Sequence, residues 1–445
     1  MKRVRFVLVA AGVLATAHPG NGSAQTSAAF KRWAKIHAHG LPVSDTVSDV
    51  ALEPLGRIVG KARVVGYGEP THGAHEPLAF RNRLFRFLVE HRGFTAIALE
   101  SGFTESYRVY QIANGGDGDL GEVVRQGITW GMGEYPENEE LVGWIRRYNM
   151  DPAHRRKVHI YGMDLSGGDT DLLRQARGAV DFSVAYLARR DSAIAASFAA
   201  RFRPYLDRFS TPGYDSLSAG ERSTLTGLIG ELLAVFDRQR PPARDEEFGW
   251  AARSAASADQ LNRYFLASPP YGPTPGGTGN LSPPTTVRDS SMAENVRWAL
   301  EREGAGGKIL VYAHNNHIMN SLITGGIWTR LRLTSPPLGM NLRRRFGHDV
   351  VLIGSAAVSV SGGLPSVEPD STGLDAVLSQ AGKPRFVIDL REGRSDPGAW
   401  AWLGQPRSLH AGIMSHVEIV PRQAYDALVY LGNLSPVRPS HQAMP

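Results

Sequence analysis

The chain has 445 residues, 42% hydrophobic and 21% charged, which is enough for a sizeable core and for two or three domains or one large domain with an insertion. Its formal net charge of +6 includes Lys2, Arg3 and Arg5 in a segment expected to be removed, so the balance is too mild and dispersed for a nucleic-acid partner or an anionic membrane surface. There is no cysteine, which excludes disulfides, thiol nucleophiles and cysteine-ligated zinc.

The N-terminus has a basic start, an apolar run from Phe6 to about Ala17, and small residues Gly22-Ser23-Ala24 before Gln25. These are the three regions of a secretory signal. The apolar run is short of the ~20 residues that a spanning helix needs, and no second run reaches that length. Residues 1–24 are therefore expected to be cleaved, leaving no transmembrane segment and placing the protein in the periplasm or outside the cell.

A first part of an α/β core is expected over 25–170. It starts with a helix near Ala29–His37. A βαβ unit follows: strand 64–68, helix 76–91 and strand 95–100. Helices are expected over 105–112 and 137–148, and a third strand, 158–164, ends in Asp164. The texture then becomes rich in Ala, Arg and Leu with helical periodicity, predicting a helical cap or insertion over 171–287. Its end is a Pro/Gly loop at 268–284. The second part of the core, 288–435, is expected to hold helix 289–303, strand 308–313, helix 338–346 and strands 350–354, 386–390 and 427–431. Residues 436–445 read as a disordered tail. The predicted architecture is α/β, a mostly parallel central sheet flanked by helices, with the cap forming a deep cleft.

Polar residues follow the ends of four apolar strands: Glu69 with His72, Glu100, Asp164, and His314 with His317. In a parallel sheet these ends line one edge, where α/β proteins bind ligands. A histidine titrating near neutrality is a natural general base, and a carboxylate beside it fixes its tautomer and stabilises the imidazolium. Such a set suits a hydrolase that activates water directly. No Gly-x-Ser-x-Gly elbow is present, and His75-Glu76 has no second histidine to complete a His-Glu-x-x-His motif. The pairs His72/His75 and His314/His317 have spacings that could ligate a divalent ion, so metal-dependent hydrolysis of an ester or peptide stays open, as does a non-catalytic envelope binding protein. Metal-free general-base catalysis is the leading reading.

Gly68-Glu-Pro-Thr-His-Gly73, Glu76, Arg81, Ala98-Leu-Glu100, Trp144-Ile-Arg-Arg-Tyr-Asn149, Tyr161-Gly-Met-Asp164, Arg288-Asp-Ser-Ser-Met-Ala-Glu-Asn295 and Ala313-His-Asn-Asn-His317 together resemble the erythromycin esterase family. The resemblance spans about 60–432. It implies hydrolysis of a macrolide lactone ester, hence inactivation of an antibiotic, with no cofactor and no required metal. By matching position it implies His72 as general base, Glu69 as its partner, and Arg81, Glu100 and His314 as further catalytic residues. His317, Asp164 and Glu76 are set on the substrate side. The implied partner is a small macrolide-like lactone.

Overall fold

Neighbouring residues of the core strands point to opposite faces of one sheet, and both faces are covered, which is why these strands read as unbroken apolar runs. Val64, Ala96, Ala98, Ile309 and Val311 pack on one side with helices Ser282–Arg302 and Leu338–Phe346. Val65, Ile97, Leu99 and Leu310 pack on the other with helices His75–Arg92 and Pro136–Met150. The computed structural model describes residues 19–438 apart from 44–48, 169–172, 242–244, 271–280, 331–332, 363, 365–369 and 411–415.

The strands are β1 (His39–Gly40), β2 (Val64–Glu69), β3 (Ala96–Gly102), β4 (His159–Asp164), β5 (Ile309–His314), β6 (Val350–Val360), β7 (Phe386–Asp389), β8 (Arg407–Leu409), β9 (Val417–Ile419) and β10 (Ala427–Leu434). Eight of them form a sheet in the order β1-β7-β10-β6-β2-β5-β3-β4, and β8 and β9 make a separate ribbon. From β10 to β4 every pairing is parallel, while β7 and β1 are added antiparallel at one edge. The fold is the expected α/β class with a mostly parallel sheet. Among the described residues no helix is long and apolar enough to cross a membrane.

Helices Gly178–Ala188, Ser192–Leu206, Ala219–Arg238 and Glu246–Ala267 share an apolar cluster of their own. The last of them meets the carboxyl ends of β3 and β4 through polar contacts: Thr104 donates to Ser254 (3.2 Å), and Ser166 lies 2.9 Å from Ser257. The N-terminal helix is longer than expected, Pro19–His37; residues 1–18 of the expected signal lie outside the described residues. Most of the Pro/Gly loop, 271–280, also lies outside them, and its end is already helix. The following helix starts at Ser282 rather than 289, because prolines tolerated in a first turn follow directly. Of the expected tail, residues 436–438 are described: Pro436 bridges Ala74 and the Val437 N–H donates to Gly73 O (2.8 Å); residues 439–445 lie outside the described residues.

One irregularity positions the site. Between Leu99 and Gly102 the pairing of β3 with β4 slips, so an extra residue of β3 bulges at Glu100. The bulge requires Gly162, the partner of Leu99 at its start. A Cβ there would stand 2.3 Å from the Gly102 carbonyl oxygen and 2.6 Å from that of Ser101, both backbone atoms that cannot swing away. Gly162→Ala should therefore destabilise the protein by about 1–3 kcal/mol, the usual cost of overpacking. Urea denaturation of the variant beside the parent measures this; an unchanged midpoint would show that the bulge can yield.

Candidate active site

Strand β2 ends at Glu69, and the chain turns through Pro70 and Thr71 to His72. Gly73 follows at φ 75°, a left-handed conformation that glycine adopts without strain. The turn places two side chains three residues apart in direct contact: His72 Nδ1 donates to Glu69 Oε1 at 2.6 Å. Tyr312, on β5, donates its hydroxyl to the other Glu69 oxygen. Behind it the Arg81 guanidinium lies 4.7 Å from the Tyr312 ring centre. With Nδ1 committed to Glu69, neutral His72 carries its lone pair on Nε2.

The bulge of β3 brings Glu100 to the same edge. Its Oε2 accepts the His314 backbone N–H (2.8 Å), and its Oε1 accepts from Arg288 Nη2 (2.9 Å) and lies 3.3 Å from His317 Nε2. Arg288 forks onto Asp164 as well: Nε lies 3.0 Å from Oδ1 and Nη2 2.5 Å from Oδ2. His317 Nδ1 donates to Asp289 Oδ1 at 2.8 Å. Charge-assisted, forked bonds of this kind are what allow carboxylates to stay ionised when buried.

The three histidines differ because their partners differ. His314 directly faces Glu69 in the β2–β5 ladder. Its Nε2–H donates to Pro70 O (3.1 Å) and its Nδ1 accepts the Asn316 N–H (3.2 Å), so both ring nitrogens are engaged in the neutral form. Burial, aided by the neighbouring His72 charge, pushes it down to about 3. Burial also opposes charge on His317, but Asp289 and Glu100 outweigh it and hold the imidazolium up to about 10. For His72, burial is again opposed, by the Glu69 hydrogen bond and by the Glu69 and Glu100 charges, and the net shift is upward. The same cations, His317 first, keep Glu100 well below the usual carboxylate range despite its burial.

Of the residues picked from the sequence, Glu69, His72, Glu100, Asp164, His314 and His317 are brought together. Arg81 stands behind them, reaching Glu69 through Tyr312, and Glu76 lies apart. Arg81 is buried behind the dyad, bonded to Asn82 Oδ1 (2.6 Å). Glu76 binds Ser435, accepting its N–H (2.8 Å) and hydroxyl (2.6 Å), and so anchors the C-terminal segment. Four residues without an assigned role are structurally central: Arg288, Asp289, Tyr312 and Trp130, whose ring centre lies 5.5 Å from the Arg288 guanidinium. Arg288 lies just before, and Asp289 at, the start of the expected helix 289–303, both well inside the observed one. As for a metal, among the described residues no three histidine or carboxylate side chains are arranged to hold an ion, and His314 and His317 have both ring nitrogens engaged, so that of the three histidines only His72 has a nitrogen, Nε2, to offer. The donor set does not fit a bound divalent ion.

The sequence model described as erythromycin esterase matches residues 89–433, a span that holds Glu100, Asp164, Arg288, His314 and His317 but begins after the Glu69/His72 turn. The chain is similar to erythromycin esterase type II of Escherichia coli, 26% identical over 324 residues, covering 69% of this chain and 72% of the relative. A solved Bacillus cereus structure shares the fold with TM-score 0.77 at 24% identity over 94% of this chain and 99% of its own. A mutant of the erythromycin esterase EreC, solved in an open conformation, does so with TM-score 0.63 at 18% identity, over 86% of this chain and 94% of that one.

His317 has a folded pKa above its ordinary 6.5, so its stabilising contribution is complete below about pH 6.5 and is lost as pH rises toward about 10. His317→Gln should accordingly lie furthest below the parent in denaturation midpoint near pH 6, and the gap should narrow steadily up to pH 10. A gap that is constant or widens over this range would contradict a charged His317.

Proposed function

We propose that this chain, which belongs to the erythromycin esterase family, is a carboxylic ester hydrolase that opens a macrolide-like lactone with water activated by His72. The observation that carries the reading is the division among the three histidines at this edge of the sheet: of these, only His72 has a ring nitrogen free to take a proton, and Glu69 orients it. In this reading His72 Nε2 removes a proton as the water oxygen bonds to the ester carbonyl carbon. Glu69 and Glu100 stabilise the imidazolium that results. The carbonyl electron pair moves onto oxygen, and Arg288, which commits Nε and Nη2 to carboxylates, has Nη1 left to meet that charge. Collapse breaks the carbon–alkoxide bond, and the imidazolium returns its proton to the leaving oxygen. The product is the ring-opened hydroxy acid.

The raised His72 pKa makes it a stronger base but leaves part of the enzyme protonated near neutrality, so kcat/KM should rise with pH until His72 is neutral. We further propose that residues 1–24 export the enzyme, so that a macrolide antibiotic would be inactivated in the periplasm or outside the cell.

Incubation with erythromycin should yield a product heavier by one water in mass spectrometry. His72→Ala should lose at least ~10²-fold in kcat/KM, the lower range for a general base. Glu69→Gln should lose activity and move the acidic limb of the pH profile down. Dialysis against EDTA should leave turnover intact; loss restored by one divalent ion would assign water activation to a metal. Turnover undiminished in His72→Ala would refute the mechanism.

A further inference from the structure

Trp130 is one of two non-glycine residues with positive φ among the described residues, at φ 63°, and Gly131 follows at φ 73°. A bulky side chain adopts that conformation only where its surroundings over-determine it, and such strain gathers at functional sites. Two contacts hold it. The Trp130 N–H donates to Gly168 O at 2.6 Å, and the indole lies so close to Gly168 that a Cβ there would stand 2.4 Å from Trp130 Cε2. The Arg288 guanidinium lies 5.5 Å from the Trp130 ring centre, within the range for attraction to an aromatic face. The indole Nε1 is buried with no hydrogen-bond partner, so the residue is not held there for its N–H. Trp130 also lines a cavity of about 780 Å³ whose walls carry Glu105, Arg108, Arg125 and Gln126.

We infer that Trp130 is a positioning residue for the active site: its ring, wedged against Gly168, fixes the guanidinium that joins Glu100 to Asp164 and separates that charged cluster from the neighbouring cavity. Arg288 binds its carboxylates through Nε and Nη2, an orientation in which the guanidinium plane is set by both acids at once. Those bonds fix the edge of the fork, and the indole supplies a flat surface against its face. Without that surface Arg288 can swing toward the cavity, and Glu100 loses one of its two cationic partners. The other, His317, cannot compensate, because it is shared with Asp289. The placement of Arg288 is a claim about the folded chain alone; the consequence for turnover rests on the proposed reaction.

Trp130→Leu and Trp130→Met remove the aromatic face while keeping an apolar side chain, and Trp130→Phe restores it. The Arg288 Nε–H resonance, identified by its loss in Arg288→Lys, reports the fork directly through its exchange with solvent. Exchange should be at least about tenfold faster in the Leu and Met variants and near the parental rate in the Phe variant, since loss of a packed partner raises local opening. With erythromycin as probe, kcat should fall in the Leu and Met variants more than KM rises, and Phe should recover it. Parental exchange in a folded Leu or Met variant would overturn the inference, as would a Phe variant no better than Leu. Absence of turnover in the parent would overturn the macrolide reading and leave Trp130 to be decided by the exchange rates.

Discussion

Four carboxylates, Glu69, Glu100, Asp164 and Asp289, are almost fully buried at one edge of the sheet, and the arrangement around them is set by the need to compensate that charge. A buried carboxylate without partners would be neutralised by protonation. Here Arg288 bridges two of them and His317 bridges two, with Glu100 common to both cations. Removing either cation leaves a buried charge uncompensated, which costs far more than the pair itself contributes. The network is therefore better understood as fixing one geometry than as a store of stability.

That geometry explains how three histidines within one cleft can titrate so differently. His317 lies between two acids and is held charged. His314 lies against a carbonyl and a backbone N–H, with cationic neighbours, and is held neutral. His72 has one acid on one nitrogen and nothing committed on the other. A reaction that needs a single base is served by this separation: neutral His314 leaves His72 undisturbed, and the charge of His317, which depresses the basicity of His72, is outweighed by Glu69 and Glu100. Separating the pKa values of like groups by their surroundings is how acid and base roles are assigned in general.

The strand ends were legible in the sequence because apolar runs of β-branched residues stop at polar ones, and the sheet does bring those ends together. The Glu69–His72 contact was legible because it is local. Arg288 and Asp289 stand in a motif of the resemblance, but their role was not legible, since the first turns of their helix are prolines and polar residues that carry no amphipathic signal. Trp130 reads as an ordinary core aromatic until its backbone conformation is seen. Arg81 and Glu76 were placed at the site by residue type and motif, but their side chains face neighbours that sequence spacing does not reveal: Asn82 and Tyr312 for one, Ser435 for the other.

The Glu69–His72 pair is local, yet its orientation is not. Strand β5 enters the sheet between β2 and β3, and the ladder places His314 opposite Glu69. From there His314 takes hold of the Pro70 carbonyl, and Tyr312, two residues earlier on the same strand, takes hold of Glu69. The other end of the turn is held by the end of the described chain: Val437 bonds Gly73, the Ser435 carbonyl accepts the His75 N–H, and Glu76 fixes Ser435 in return. Both clamps come from segments more than 200 residues away. The turn alone would sample many poses of His72, since neither Pro70 nor Thr71 is in a helix or strand. The free nitrogen of His72 thus acquires a fixed direction only once β5 has been inserted and residues 435–437 have docked. This places the two histidine motifs under a single constraint: the second holds the first in the pose in which it can act as a base.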